Sequence, residues 1–295
     1  MGAARGRLRR ERQQMYKITY KKSLNSDVTL MRVHAPSVAA RAQPGQFVIL
    51  RVDQNGERIP LTIADYDPRS GDVTVIFQTV GETTYKLSLK NEGDDIQDFA
   101  GPLGNPTHTE GLSRVAIVAG GVGCAIALPV AKKLHAQGAQ VHAIAGFRSK
   151  DLVILQDEFK ANSSKFILMT DDGSAGEKGM VTDALKRLLD EGQTYDEVLT
   201  IGPLIMMKFV CGLTRGYGVR TVASMNPIMI DGTGMCGGCR LTVDGKTRFA
   251  CVEGPEFDGH KIDFDEAIMR AGSYREFETK RRESCKLPGW RQTKA

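Results

Sequence analysis

Near residue 111 the spacing of apolar residues changes, and that change divides the 295-residue chain. Upstream, residues 15–20, 28–33, 47–52, 59–64 and 73–79 are short alternating or β-branched runs separated by Asn, Asp, Pro and Gly. Such runs form antiparallel strands, and so many in succession imply a barrel. One helix is expected within them, over 82–89, entered through Gly81. Downstream, the runs at 115–119, 141–147, 166–170, 198–201 and 219–223 are apolar throughout, and helix-like segments follow the first four. Strand and helix in alternation argue for a parallel sheet with right-handed crossovers, open to ligands at its C-terminal strand ends. The expected architecture is therefore an antiparallel β-barrel at 15–110, a parallel α/β domain at 111–224 and a small C-terminal segment at 225–278.

Charge limits the partners. The formal net charge of +5 comes from the ends: residues 1–14 carry +4, residues 279–295 carry +5, and the body between them is negative. A basic groove for nucleic acid is not supported by that distribution. No apolar run reaches the length of a membrane span, and no secretory core follows Arg9-Arg10. A cytoplasmic protein with a basic extension (1–14) and a basic tail (279–295) is expected.

The C-terminal segment carries the most specific chemistry. Asp231-Gly-Thr-Gly-Met-Cys236-Gly-Gly-Cys239 precedes Cys251. Three thiolates and a carboxylate at this spacing can enclose a [2Fe–2S] cluster, which four cysteines ordinarily hold. Between Cys239 and Cys251, an alternating stretch centred on Asp244-Gly245 reads as a tight hairpin. With those two residues as the loop, Cys239 falls opposite Ala250 and beside Cys251. The glycines of the loop let main-chain amides turn toward the sulfurs. A structural zinc held by these cysteines with Asp231 or His260 is the bland alternative. A disulfide framework fits poorly with six cysteines in so long a chain. Cys124 and Cys211 read as buried small hydrophobes and Cys285 as a tail thiol.

Weaker signals lie upstream. Arg58-Ile-Pro60-Leu61-Thr62 presents a guanidinium suited to a pyrophosphate and a hydroxyl suited to a flavin edge, or is an ordinary edge strand. Gly81-Glu-Thr83-Thr84 opens a helix, forming an anion site or a simple cap. Gly101-Pro102-Leu103-Gly104 is a third such element, closing the barrel, or is only a turn. Gly120-Gly121-Val-Gly123 joins a buried strand to a helix, the context of a dinucleotide pyrophosphate, although Ile126 replaces a third glycine. Asp171-Asp172-Gly173 and Gly202-Pro203 follow later strands; carboxylates suit ribose diols, yet both are also plain turns. Arg148 and Lys150 leave NAD against NADP open.

In this order, these motifs resemble the ferredoxin–NADP reductase superfamily. The Asp/Cys segment narrows the resemblance to the dihydroorotate dehydrogenase B electron-transfer subunit group, and within it to small subunits of NADH-dependent reduced ferredoxin:NADP oxidoreductases, also described as sulfide dehydrogenase flavin subunits. The resemblance implies FAD at Arg58, Pro60, Leu61, Thr62, Gly81, Thr83 and Thr84. It implies NAD(H) at Gly120, Gly121, Gly123, Asp171, Asp172 and Gly202, and a [2Fe–2S] cluster on Asp231, Cys236, Cys239 and Cys251. It further implies a heterodimer whose larger subunit holds a second FAD, [4Fe–4S] clusters and the sites for ferredoxin and NADP(H). Dihydroorotate-type subunits have Cys where Asp231 stands, so Asp231 points to the electron-bifurcating transhydrogenase branch. Many reductases have Cys where Ile201 stands. A sulfide or polysulfide dehydrogenase subunit, a dihydroorotate dehydrogenase electron-transfer subunit and a non-catalytic flavin and zinc regulatory subunit are the alternatives.

Overall fold

The computed structural model describes residues 15–284, so the extension at 1–14, most of the basic tail and Cys285 lie outside the described residues. The first part contains β1 (Tyr16–Ser23), β2 (Val28–His34), α1 (Pro36–Ala39), β3 (Phe47–Arg51), β4 (Arg58–Asp67), β5 (Asp72–Gln78), α2 (Glu82–Leu89), β6 (Asp95–Ile96) and β7 (Asp98–Leu103). Its seven strands form one antiparallel sheet in the order β6-β1-β2-β5-β4-β3-β7. Register shifts in β1, β3 and β4 interrupt the ladders, and such irregularities bend a sheet, here into a half-barrel. Met31, Val33, Leu50, Ile63, Val75 and Phe77 fill its concave core.

The Gly101-Pro102-Leu103 stretch, read as closing the barrel or as only a turn, forms the end of β7, paired with β3 through Phe47 and Leu103. The reason is steric: a Cβ on Gly101 would sit 2.8 Å from Val48 Cγ1, so glycine lets the two strands approach. The turn itself comes one residue later, at Gly104 with φ of +75°.

The second part contains β8 (Arg114–Gly120), α3 (Gly123–Ala136), β9 (Gln140–Phe147), α4 (Gln156–Ala161), β10 (Lys165–Thr170), β11 (Glu177–Lys178), α5 (Val181–Asp190), β12 (Glu197–Ile201), α6 (Leu204–Gly216) and β13 (Thr221–Ser224). Helix α5 shows why these segments are helical. Its buried residues Val181, Ala184, Leu185, Leu188 and Leu189 recur at helical spacing and make one apolar stripe against the sheet.

The remaining residues form β14 (Arg240–Val243), β15 (Lys246–Phe249), α7 (Ala250–Glu253), β16 (Glu256–Asp258), α8 (Phe264–Ala271) and α9 (Arg275–Ser284). β16 joins the second sheet antiparallel to β13, giving the order β11-β10-β9-β8-β12-β13-β16. The C-terminal segment is thus threaded into the α/β domain. It also shares a core with Phe47 and Ile49 of β3 and Met207 and Cys211 of α6.

Candidate functional site

A cavity of about 560 Å³ lies between the half-barrel and the second sheet. It opens where strand order reverses around β8, with β9 on one side and β12 on the other. Loops diverge at such a switch point and leave a crevice for a ligand. Pro60 and Thr62 line it from β4, Gly120, Gly121 and Gly123 from the turn after β8, Asp171 from the end of β10, and Gly202 from the turn after β12.

The barrel-side residues divide by strand period. Alternate residues share a face, so Arg58 lies on the face of Pro60 and Thr62, at the exposed start of β4. Leu61 instead packs its side chain against the half-barrel core. At α2, Thr84 Oγ1 accepts from the Val80 and Gly81 amides at 3.0 and 3.1 Å and donates to the Gly81 carbonyl. Thr83 is buried, its hydroxyl donating to Glu57 at 3.3 Å. Both hydroxyls are spent within the fold, so what α2 offers an anion is its main-chain N-terminus.

On the nucleotide side, the glycine turns meet. A Cβ on Gly123 would lie 2.5 Å from the Ile201 carbonyl oxygen, and one on Gly202 would lie 3.0 Å from both N and O of Gly120. Close helix–strand and strand–strand approach therefore requires glycine here. Asp171 faces the cavity, whereas Asp172 Oδ1 accepts from the Ser174 amide and hydroxyl at 2.9 and 2.6 Å. Those bonds hold the Asp172 carboxyl below its ordinary range and commit it to its own turn. Arg148 is the cation among the lining residues; the Lys150 amide is tied to Ser174. Met225, Met229 and Pro255 of the C-terminal segment also line the cavity. Nothing in their local sequence signals this, because it follows from where β16 docks.

The hairpin has the register expected from Asp244-Gly245, with Arg240 opposite Phe249 and Val243 opposite Lys246. The Ala250 amide donates to the Cys239 carbonyl at 3.2 Å, and Cys239 Sγ and Cys251 Sγ are 3.2 Å apart, both buried. Amides point at sulfur: Gly238 N–H at Cys236, Cys251 N–H at Cys239 and Gly234 N–H at Cys251. Burial, the Cys239 thiol and the Asp231 charge push the Cys251 thiol up to about 12. A thiol held neutral in this way gives up its proton to become a ligand only when a bound cation offsets the cost. Asp231 Oδ1 and Oδ2 accept from the Thr233 and Cys236 amides at 2.8 and 2.9 Å, which holds its carboxyl below the usual range.

Among the described residues, no three His, Cys, Asp or Glu side chains converge on a point where a single ion would sit. His260 is turned away, its Nε2 3.1 Å from Thr214 Oγ1. A mononuclear zinc needs four ligands around one centre. Cys239 lies beside Cys251 and the Cys236 amide is bonded to Asp231, so these residues could hold an iron–sulfur group, whose usual partners include amides aimed at sulfur. Cys124 and Cys211 are buried, and burial raises both thiols, that of Cys211 to about 12.

A curled antiparallel half-barrel, a mostly parallel α/β sheet with a cavity at its switch point and a C-terminal cysteine loop define a ferredoxin reductase-like oxidoreductase fold. The cytochrome b5 reductase domain of Ulva prolifera nitrate reductase shares that fold (TM-score 0.56, 17% identity, 70% of this chain and 93% of that one). Residues 226–263 match the iron–sulfur cluster binding domain of dihydroorotate dehydrogenase B. The chain is 49% identical over 261 residues, 88% of its length and 92% of the relative's, to a dihydroorotate dehydrogenase B (NAD(+)) electron transfer subunit homolog of Thermotoga maritima. It is 31% identical to the corresponding subunit of Fusobacterium nucleatum, over 81% of this chain and 94% of that one. A chain in the structure of an NADH-dependent reduced ferredoxin-NADP oxidoreductase, studied for flavin-based electron bifurcation, superposes with a TM-score of 0.86 at 47% identity, covering 92% of this chain and 97% of that one. The chain belongs to the dihydroorotate dehydrogenase B electron-transfer subunit family.

Proposed function

We propose that this chain is an NADH-linked electron-transfer subunit holding FAD and a [2Fe–2S] cluster and exchanging electrons with a larger catalytic subunit. The observation that carries this reading is the cavity into which β4, the glycine turns after β8 and β12, and the C-terminal segment converge. When bound, the cofactors supply hydride exchange between nicotinamide C4 and flavin N5 and one-electron passage to or from the iron pair. The chain's own residues bind, orient and exclude water; no side chain serves as nucleophile or general acid.

In this reading Arg58 pairs with the FAD pyrophosphate beside the α2 N-terminus at Gly81, Thr83 and Thr84, while Pro60, Leu61 and Thr62 carry the ring edge. Gly120, Gly121 and Gly123 bring main-chain amides to the NAD(H) pyrophosphate at the start of α3. Asp171 takes a ribose diol, with Asp172 stiffening its turn. Ile201 and Gly202 shape the floor. Asp231, Cys236, Cys239 and Cys251 hold the iron.

The loop carrying Asp231 and Cys236 is ringed by exposed Ile228, Ile230 and Val252, and by Met235 at 88% exposure. Such apolar exposure is normally covered by a partner. We assign this face to the larger subunit, itself carrying a second FAD, [4Fe–4S] clusters and the sites for ferredoxin and NADP(H). The similarity to the ferredoxin-NADP oxidoreductase chain supports a bifurcating transhydrogenase over dihydroorotate oxidation, as does Asp231. Among the described residues no helix is long and apolar enough to cross a membrane. The test is anaerobic purification with flavin and iron counted per chain, followed by NADH-to-dye reduction. Full flavin without NADH oxidation, or zinc in place of iron, would end the proposal.

A further inference from the structure

Ser224 ends β13 at the cavity, and Glu256 of β16 stands directly opposite it. The Met225 amide donates to the Pro255 carbonyl at 2.8 Å, so the neighbouring Ser224 and Glu256 form a pair without ladder hydrogen bonds, the kind that brings side chains closest. Ser224 is buried and lines the cavity, and its hydroxyl makes no hydrogen bond among the described residues. Glu256 Oε1 accepts from Thr107 at 2.6 Å, while burial and the Glu197 charge push its carboxyl up to about 7. Around Glu256 stand Asp258, two residues along the same face, and Glu197, itself beside Arg220 and within the field of His108. The half-barrel fixes where this pair meets the cavity. A Cβ on Gly104 would lie 2.8 Å from Phe47 and 3.0 Å from Pro255, and Phe47 is paired with Thr62 across β3 and β4. Ser224 and Glu256 therefore adjoin the part of the cavity that Phe47 and Thr62 line.

We propose that Ser224 and Glu256 form a proton exit from the cavity, the Ser224 hydroxyl handing to the Glu256 carboxylate the proton that a reduced flavin sheds as its electrons leave. The inference rests on the FAD reading above. Hydride exchange needs no proton carrier, but the step after it does. In that step the N5–H bond of the reduced flavin breaks, and its two electrons pass singly to the iron–sulfur cluster or to an added one-electron oxidant. The N5 proton goes to Ser224 Oγ as the Ser224 proton goes to Glu256, which is partly exposed and returns it to water. A hydroxyl suits the relay because it accepts and donates at once. A carboxylate that titrates near the working pH takes up and releases a proton with little bias either way.

Two measurements test this on the flavin-loaded full-length chain. In the first, the chain is reduced with dithionite, so that NADH plays no part, and rapidly mixed with ferricyanide. Flavin re-oxidation in the wild-type chain is expected to quicken as pH rises through about 7. Glu256→Gln, whose carbonyl can still accept from Thr107, should slow it by about 100-fold above that pH and remove the inflection. Ser224→Ala should slow it likewise, Ser224→Thr should restore it, and Asp258→Asn, the control, should keep the wild-type profile. In the second, the infrared difference between oxidised and reduced chain at equilibrium should contain a carboxylic acid carbonyl band that Glu256→Gln lacks. Wild-type rate and pH profile in both Glu256→Gln and Ser224→Ala, or the same infrared difference in Glu256→Gln as in wild type, overturns the proton exit and leaves the FAD reading intact. Should Glu256→Gln not hold flavin, the Ser224→Ala and Ser224→Thr rates decide alone. A wild-type chain that binds no flavin ends the FAD reading, and this inference falls with it.

Discussion

At Gly123 an added methyl group would meet the Ile201 carbonyl oxygen, a backbone atom that cannot swing aside. Gly123→Ala should therefore destabilise the chain by about 1–3 kcal/mol, as overpacking does, and weaken NAD+ binding; chemical denaturation and ligand titration measure the two effects. Asp231 poses a different question, since its two oxygens already tie the loop through the Thr233 and Cys236 amides. If it also ligates iron, Asp231→Cys keeps the metal and shifts the reduction potential, because a softer donor replaces a hard one. An unchanged potential in a redox titration would restrict Asp231 to holding the loop. The iron–sulfur character of the segment that holds Asp231 and the three cysteines was legible because residue spacing is a local property. The commitment of Asp172, Thr83 and Thr84 to bonds within the fold was not legible, because a sequence does not reveal which acceptor a side chain reaches.

The hairpin β14–β15 is the element on which the cysteine pair depends. Asp244 and Gly245 both have positive φ, 54° and 68°, which matches the turn that right-twisted strands prefer. Gly245→Val places a branched side chain in that region at a cost of roughly 1–2 kcal/mol. The expected outcome is a lower melting temperature with fewer irons retained per chain, measured by calorimetry and iron assay. Full iron content at wild-type stability would show that the hairpin does not set the Cys239–Cys251 spacing. Helix α2 falls at 82–89, where Gly81 and the two threonines place it, and the Asp-Gly pair set the hairpin register. Strands β7 and β16 escaped notice for one shared reason. Each is short and rich in glycine, proline or charge, and becomes a strand only because β3 or β13 offers it an edge.

Contacts at the scale of the whole molecule join the three parts around the cavity. Lys132 of α3 meets Asp65 of β4 at 2.7 Å, and Asn25 bonds the Leu152 carbonyl at 3.2 Å. Thr107, on the exit from the half-barrel, donates to Glu256 of β16 at 2.6 Å. Burial, with the Glu197 charge adding to it, raises the Glu256 carboxyl from 4.5 to about 7, against the Thr107 bond. Its folded-state pKa is raised, so its contribution to stability is present in full below 4.5 and lost as pH rises through about 7. Unfolding titrations should show that loss, at no more than ~1.4 kcal/mol per pH unit for one proton, and Glu256→Gln should flatten it. An equal slope in the variant would assign the effect to another group. On the outer face, Met235→Asp should weaken association with the larger subunit while leaving NADH-to-dye activity intact. Co-elution and the dye assay together check it, and undiminished association would move the docking face elsewhere.

The amino-acid sequence alone determined the two periodicities, the cysteine spacing, the hairpin register and the glycine turns, since each is written in residues close along the chain. Tertiary structure alone decided that β16 completes the second sheet, that Met225, Met229 and Pro255 wall the cavity, and that Ser224 and Glu256 meet beside it. Those arrangements depend on packing between segments far apart in the chain, where shape and contact choose among placements that local patterning leaves equal.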